Sequence, residues 1–526
     1  MSVLNSVVIL SLFSVSLFVN SNASVWPLPT SIYLSGPPLP ISPVFTFKTS
    51  STSFVLKRGI TRYLEIILQQ IAGENVDHHL RANQTLSELV LSVRSDNESL
   101  QVDTSYWYIL KVSNGKASIE AKTPYGALYG METFSQLIVD GNLINSTVNI
   151  GDQPQYVHRG LMLDTGRRYF PFELVKNILD GMSFVKLNVL HLHILDWCRF
   201  SVQSKLYPEL QENTTQFYTQ EQIKDLVSYA GDRGIRVIPE VESASHVAGM
   251  IGLINKTKGL RFCNDSGFLE LYNDPQGVTL TTMKNILEEM MTLFPDQFFH
   301  LGLDEVTTST LCSIQNTKSL EQELMKFLEQ KGKIPYAWQE ALISTSAAIK
   351  GTVLQAWKGS VVKTLIDGGF QVINSLSGNF YLSSLVDFSA LWTNITAGLN
   401  PDEMTFVLGG EMAMWTDDYC FVDQCFLYKR GKSDAWWMFG PESDSQFTES
   451  VSGIIWPSAI VGAGSFWNYQ SKLTPDSKEF TMMIDTQHKR MVQRGILTCP
   501  SRCKCDVLTR CGQKYPQPYG LILRIS

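Results

Sequence analysis

The chain is expected to be an α/β protein, a (β/α)8 TIM barrel preceded by a small α+β domain. Three observations lead there. From about residue 155, eight apolar runs alternate with longer amphipathic stretches, the texture of parallel strands covered on both faces by crossover helices. No Gly-rich phosphate fingerprint follows any run, which argues against a doubly wound open sheet. Acids and aromatics gather at the C-terminal ends of the runs, the face on which such barrels build their sites.

In chain order, residues 1–23 read as a signal peptide: VVILSLFSVSLFV is apolar but short for a membrane span, and Ser21-Asn22-Ala23 supplies small residues before a cleavage point. Sequons at Asn83, Asn97, Asn145, Asn213, Asn255, Asn264 and Asn394 fit a chain that enters the secretory pathway, with lysosomal or extracellular fate open. Most of the 9 cysteines are then expected in disulfides, and Cys198 is the best candidate for a buried thiol. Residues 24–152 form the α+β domain, with the alternating runs LVLSVRS, YWYILKV and KASIEAK and helical periodicity in ITRYLEIILQQIAG and PYGALYGMETFSQLIV. The barrel spans 153–497, with an insertion at about 418–450 and a Cys-rich tail at 498–526.

The barrel runs are 159–165, 187–195, 235–241, 298–305, 334–340, 352–357, 370–376 and 406–415, and helices are expected at 172–186, 219–233, 279–294, 319–331 and 361–367. Thr219-x-x-Gln222 and Ser319-x-x-Gln322 read as capping boxes opening two of them. Net charge is −7 and there is no basic footprint, so nucleic acid is excluded as a partner. No later apolar stretch is long enough for a membrane anchor.

The strand tips carry Asp164, Asp196, then Glu240, Glu242 and His246, then Asp304 and Glu305, then Trp338 and Glu340, Trp357, Tyr381, and finally Trp415 and Asp417. Sugars offer C–H faces for aromatic stacking and hydroxyls for carboxylates, so this set points to a carbohydrate site. No cofactor or metal is called for. In a secreted chain the spacing of Cys499, Cys503, Cys505 and Cys511 favours two disulfides over zinc.

These residues, in order, resemble a family 20 glycoside hydrolase, a β-N-acetylhexosaminidase. The likeness rests on His158 to Thr165, Asn188 to His193, His300 to Val306, Ala337-Trp338-Gln339-Glu340, Gly409-Gly410-Glu411 and Met414-Trp415, with Trp26-Pro27-Leu28-Pro29 and Gly126 to Leu137 in the smaller domain. The resemblance implies exo-acting, retaining removal of terminal GlcNAc or GalNAc from glycans, with the substrate's own 2-acetamido group as nucleophile rather than a second carboxylate. Glu305 is implied as general acid and base, with a raised pKa. Asp304 would stay ionised and hold the acetamide N–H. Asp196 and His246 would form a relay behind the acid. Arg159 would hold outer hydroxyls, Trp338, Trp357 and Trp415 would box the acetamide and ring, Tyr381 would donate to the acetamide oxygen, and Asp417 would contact O4 or O6. A Cys263–Cys312 disulfide is implied, and a homodimer is allowed for.

The chain departs from the family pattern in several places. Leu303 replaces a Gly, Trp197 replaces an acid, Glu242 to Ser245 replace Asp-x-Pro-Gly, Asp417 replaces a Glu, and Ser383 an Asn or Asp. The segment from Glu305 to Lys333 is short. Ser458, Gly464 and Ser465 stand where the family has an Arg and a Glu-Arg pair. These departures leave a second reading open, a carbohydrate-binding protein on a hydrolase scaffold.

Overall fold

The computed structural model describes residues 25–72, 85–212, 214, 216–263, 269–306, 312–382, 387–417 and 444–498, with a short strand pair at 509–510 and 513–514. The expected signal peptide, Asn83, Asn213, Asn264, Ser383, most of the insertion with Cys420 and Cys425, and the four tail cysteines lie outside the described residues.

The first domain is an eight-stranded sheet: β1 (Ser31–Ser35), β2 (Leu39–Thr49), β3 (Leu86–Val93), β4 (Tyr108–Ser113), β5 (Lys116–Ala121), β6 (Ile138–Val139), β7 (Asn142–Leu143) and β8 (Thr147–Asp152). They lie in the order β1-β8-β4-β5-β3-β2-β7-β6. Alternate residues of β4 and β5 are buried, as their period-2 pattern demands. Two helices, Phe54–Ala72 and Pro124–Gln136, bring Ile67, Leu128 and Phe134 into one core with Leu89, Leu110 and Ile119. Thr123 caps the second helix by accepting the Gly126 N–H.

The second part is a closed barrel of eight parallel strands: β9 (His158–Asp164), β10 (Val189–His193), β11 (Arg236–Glu240), β12 (Phe298–His300), β13 (Ile334–Trp338), β14 (Val353–Ala356), β15 (Gln371–Asn374) and β16 (Val407–Met414). β16 pairs with β9 and closes the ring. All eight expected runs contain a strand. Five expected helices are present: Phe172–Phe184, Gln220–Gly231, Val278–Met291, Ile314–Gln330 and Val362–Asp367. Thr219 and Gln222 form the expected reciprocal capping box. Ser319 does not open a helix. Ser313 does, accepting from the Asn316 N–H, and Ser319 lies a turn and a half further in, where its hydroxyl accepts from Asn273.

The helix Ile314–Gln330 buries Glu321, which takes a hydrogen bond from the Thr345 hydroxyl. Burial pushes its carboxyl up to about 8 from an ordinary 4.5. A raised folded-state pKa means that Glu321 costs nothing while both states are protonated, and that stability falls as pH climbs from about 4.5 through about 8. Glu321→Gln is therefore expected to raise the melting temperature by roughly 5 °C near neutral pH and by little near pH 4.5. Thermal unfolding at the two pH values checks this; equal shifts contradict it.

The two cores are joined by buried groups. Trp26 donates its indole N–H to Ile460 (2.8 Å), and its ring fills the space above Gly464, where a Cβ would meet it at 2.4 Å. The absent family Glu-Arg pair thus has a replacement here: Gly464 admits the Trp26 ring, and the Ser465 hydroxyl donates to Leu391 (2.7 Å). Lys186 pairs with Asp152 (2.9 Å), and Trp467 donates to the same carboxylate (2.9 Å). Among the described residues, no helix is long and apolar enough to cross a membrane.

Candidate active site

Strand direction decides what reaches the mouth, because side chains at the C-terminal tips of a closed parallel barrel converge there. Asp164 ends β9, Trp338 ends β13, and Trp415 directly follows β16. Asp304 and Glu305 lie just past β12, which ends at His300. Three residues, Leu301, Gly302 and Leu303, therefore turn the chain between strand and acids. Gly302, Leu303 and Glu305 have φ of +70°, +77° and +49°, a left-handed region costly for residues with a Cβ. Leu303 tolerates it with a fully buried side chain in the main core and its N–H on Glu242 Oε2 (3.3 Å).

Behind the acid pair runs a chain of charged hydrogen bonds. His246 Nε2 lies 3.4 Å from Glu305 Oε2 and 3.9 Å from Asp304 Oδ2, and His246 Nδ1 lies 3.3 Å from Asp196 Oδ1. His193 links Asp196 (2.8 Å) to Glu240. Glu240 also takes His191 (3.2 Å), His300 (3.0 Å) and the Trp338 indole N–H (2.7 Å). His191 continues to Glu411 (2.7 Å), which also holds His158 (2.8 Å). His191, Glu240 and His300 have ligand atoms close enough to share a metal ion, as do His246, Asp304 and Glu305. In both groups, donors and carboxylates already pair with one another.

Burial disfavours a charged His246, but Asp196 and Asp304 outweigh it and push the imidazole up to about 10. The hydrogen bond from that imidazolium then holds Glu305 below the ordinary glutamate value. Asp304 moves the other way, raised by burial and by the charges of Glu240 and Glu305. The rise expected at Glu305 is thus replaced by a fall in the free site. The cause is the cation beside Glu305, which outweighs desolvation of a side chain still 35% exposed. Asp304 is buried, and its carboxyl shares a side-chain hydrogen bond with Glu242.

An aromatic group lines the mouth. Trp338 and Trp415 lie 5.9 Å apart between ring centres, Tyr381 and Trp415 6.0 Å, and Trp357 and Tyr381 stack nearly parallel at 6.2 Å. Burial pushes the Tyr381 phenol well up, so it remains a hydrogen-bond donor. Glu340 anchors the Trp357 indole N–H with both oxygens (3.0 Å each).

Arg159 is not part of this mouth. It is the second residue of β9 and sits at the opposite end of the barrel from Asp164, roughly 16 Å along an extended strand. Its guanidinium donates to Lys186 (3.0 Å) and Tyr156 (2.7 Å) and packs on Tyr106 and Trp467. The arginine at the mouth is Arg167, three residues beyond Asp164. It pairs with Asp164 (3.0 Å), Asp196 (3.0 Å) and Asp417 (3.2 Å) and lies over the Trp197 and Trp415 rings. The strand-tip rule that located the acids also distinguishes the two arginines. Trp197, where the family has an acid, stacks on His246 at 6.1 Å and 17°. The Cys263–Cys312 disulfide is present, and Cys198 is buried.

The catalytic-domain model of glycosyl hydrolase family 20 matches residues 156–420, just over half of the chain, and a beta-acetyl hexosaminidase-like domain model matches residues 25–137. The chain belongs to glycosyl hydrolase family 20. It is a glycoside hydrolase built as a (β/α)8 barrel behind a small α+β domain. It is similar to beta-hexosaminidase 1 of Arabidopsis thaliana, with 28% identity covering 90% of this chain and 91% of that one. It is also similar to the beta subunit of Sus scrofa beta-hexosaminidase, with 28% identity over 90% and 92% of the two chains. Among solved family 20 structures, Flavobacterium johnsoniae chitobiase shares the fold with a TM-score of 0.73 and 22% identity, over 90% of this chain and 73% of its own. Streptomyces plicatus N-acetyl-beta-hexosaminidase shares it with a TM-score of 0.71 and 18% identity, over 91% and 97%.

Proposed function

We propose that this family 20 hydrolase removes terminal non-reducing N-acetyl-β-D-hexosamine residues from glycans, exo-acting and with retention, using the substrate's 2-acetamido group as nucleophile. The observation that carries the reading is the acid pair itself: a half-buried Glu305 on a charged relay, beside a buried Asp304 at the mouth of the barrel. A carboxylate in that position suits an amide N–H.

In this reading the acetamide carbonyl oxygen attacks the anomeric carbon as the glycosidic bond breaks. Glu305 gives its proton to the departing oxygen, and a cyclic oxazolinium forms. Glu305 then takes a proton from water, which opens the ring from the face the aglycone left. Asp304 Oδ1 accepts the acetamide N–H, aligns the carbonyl and balances the positive charge. Tyr381 donates to the carbonyl oxygen, and Trp338, Trp357 and Trp415 wall the methyl group and sugar face. Arg167 takes the role expected of Arg159 toward outer hydroxyls, with Asp417 beside it.

Substrate binding also favours the required protonation states. The sugar covers Glu305 and removes water from it, which favours its protonated form, while the N–H supplies Asp304 with a donor that favours its ionised form. The buried Glu321 and the acidic composition suit an acidic compartment of the secretory pathway, lysosomal or extracellular. Asn97 and Asn255 are exposed sequons open to glycosylation.

Hydrolysis of an aryl N-acetyl-β-glucosaminide and its galacto epimer, assayed between about pH 4 and 7, tests the reading. Turnover of at least one, with strong inhibition by a GlcNAc-derived thiazoline, is expected. A folded protein that binds N-acetylglucosamine without turning over either substrate contradicts it.

A further inference from the structure

Glu242 is fully buried, carries a titratable group, and has no part in the chemistry above. Its position is unusual. The carboxyl lies directly over the turn that leads from β12 to the acid pair. A Cβ on Gly302 would meet Glu242 Oε2 at 1.9 Å and the carboxyl carbon at 2.2 Å, so the backbone there is pressed against this side chain. The same oxygen accepts the Leu303 N–H at 3.3 Å. Leu303 is the residue with the least natural backbone in the turn, at φ +77°. Its buried side chain fixes one side of the turn, and the bond to Glu242 fixes the other.

We propose that Glu242 is a positioning residue for the acid pair: it clamps the left-handed turn at Gly302 and Leu303 and so aims Asp304 and Glu305. Main-chain bonds to β13 continue only as far as Leu301 N–H to Tyr336 (2.9 Å) and Trp338 N–H to Gly302 (3.0 Å), so the Leu303 N–H is held by a side chain, that of Glu242. Without the clamp, Leu303 keeps its backbone strain and loses its hydrogen bond, and the two acids that directly follow it lose their direction. Glu242 acts as a neutral acid. It lies beside Glu240 and His193, and burial with the charges of Asp304 and Glu240 pushes its carboxyl well above the ordinary glutamate range. A charged Glu242 would repel the Asp304 it positions. The clamp also accounts jointly for two departures from the family pattern, the Glu at 242 and the Leu at 303, which meet in this hydrogen bond.

The inference rests on the proposed roles of Asp304 and Glu305, so its test has a binding arm as well as a kinetic one. Four full-length variants are compared with the wild type for kcat, KM and thiazoline affinity by calorimetry: Glu242→Gln, Glu242→Ala, Leu303→Gly, and Glu242→Ala with Leu303→Gly. Circular dichroism and melting temperature establish that each is folded. Glu242→Gln keeps a neutral acceptor of the same length, and its kcat is expected within about threefold of wild type. Glu242→Ala is expected to lower kcat by roughly 100-fold with KM changed far less, because aim is lost rather than sugar contacts. Adding Leu303→Gly to Glu242→Ala removes the strain that the clamp opposes and is expected to recover at least about tenfold in kcat. Thiazoline affinity should follow the same order. A wild type without turnover would remove the functional reading and leave the clamp to be judged on affinity alone. Equal loss in Glu242→Gln and Glu242→Ala, or wild-type behaviour of Glu242→Ala, overturns the clamp. So does strict additivity of Glu242→Ala and Leu303→Gly.

Discussion

Glu305→Gln is expected to lower kcat/KM by roughly 10²–10⁴-fold, because in the proposed mechanism one group supplies the proton to the leaving oxygen and then takes one from water. The loss should depend on the aglycone. An alkyl or sugar leaving group needs that proton more than a nitrophenolate does, so the penalty is larger for the poorer leaving group. The pH profile carries a second, signed expectation. His246 is held charged to about pH 10 by Asp196 and Asp304 and depresses Glu305 through a hydrogen bond. His246→Gln removes that cation, so the Glu305 pKa rises and the alkaline limb of kcat/KM moves to higher pH. A limb that stays in place or moves to lower pH contradicts the relay.

Asp304→Asn is expected to cost on the order of 10²–10³-fold in kcat. The substitution conserves size but removes the charge opposite the oxazolinium, and an amide can turn its NH2 toward the acetamide N–H. The raised pKa of the free carboxyl adds a pH signature. Wild-type thiazoline affinity should rise with pH as Asp304 ionises, and Asp304→Asn should lose that rise. Steady-state kinetics on one aryl glycoside and calorimetry across the acid range check both parts. An Asp304→Asn variant with wild-type kcat contradicts the role of the charge.

The barrel was legible because its eight apolar runs are continuous and well spaced, and each run overlaps the strand it predicted. The acid pair, the relay and the aromatic group were legible because they sit at strand ends, where the fold leaves side chains little choice of direction. Errors arose where sequence pattern and position along an element disagree. Arg159 matches a motif but begins its strand, whereas Arg167 follows the tip. Ser319-x-x-Gln322 has the letters of a capping box inside a helix that Ser313 has already opened. The lowered pKa of Glu305 depends on the 3.4 Å approach of His246, a contact across 59 residues that no local pattern encodes. The clamp by Glu242 depends on a left-handed turn whose φ angles no local pattern dictated.

In the proposed mechanism the acetamide oxygen is the nucleophile, and a series of aryl β-glucosaminides bearing N-acetyl, N-fluoroacetyl, N-difluoroacetyl and N-trifluoroacetyl groups tests that directly. Each fluorine withdraws electrons from the carbonyl oxygen and leaves the aglycone unchanged. Kcat/KM is predicted to fall steeply and monotonically along the series, by more than about 100-fold from first to last. A flat series would contradict it, because a carboxylate of the protein would then be attacking the sugar.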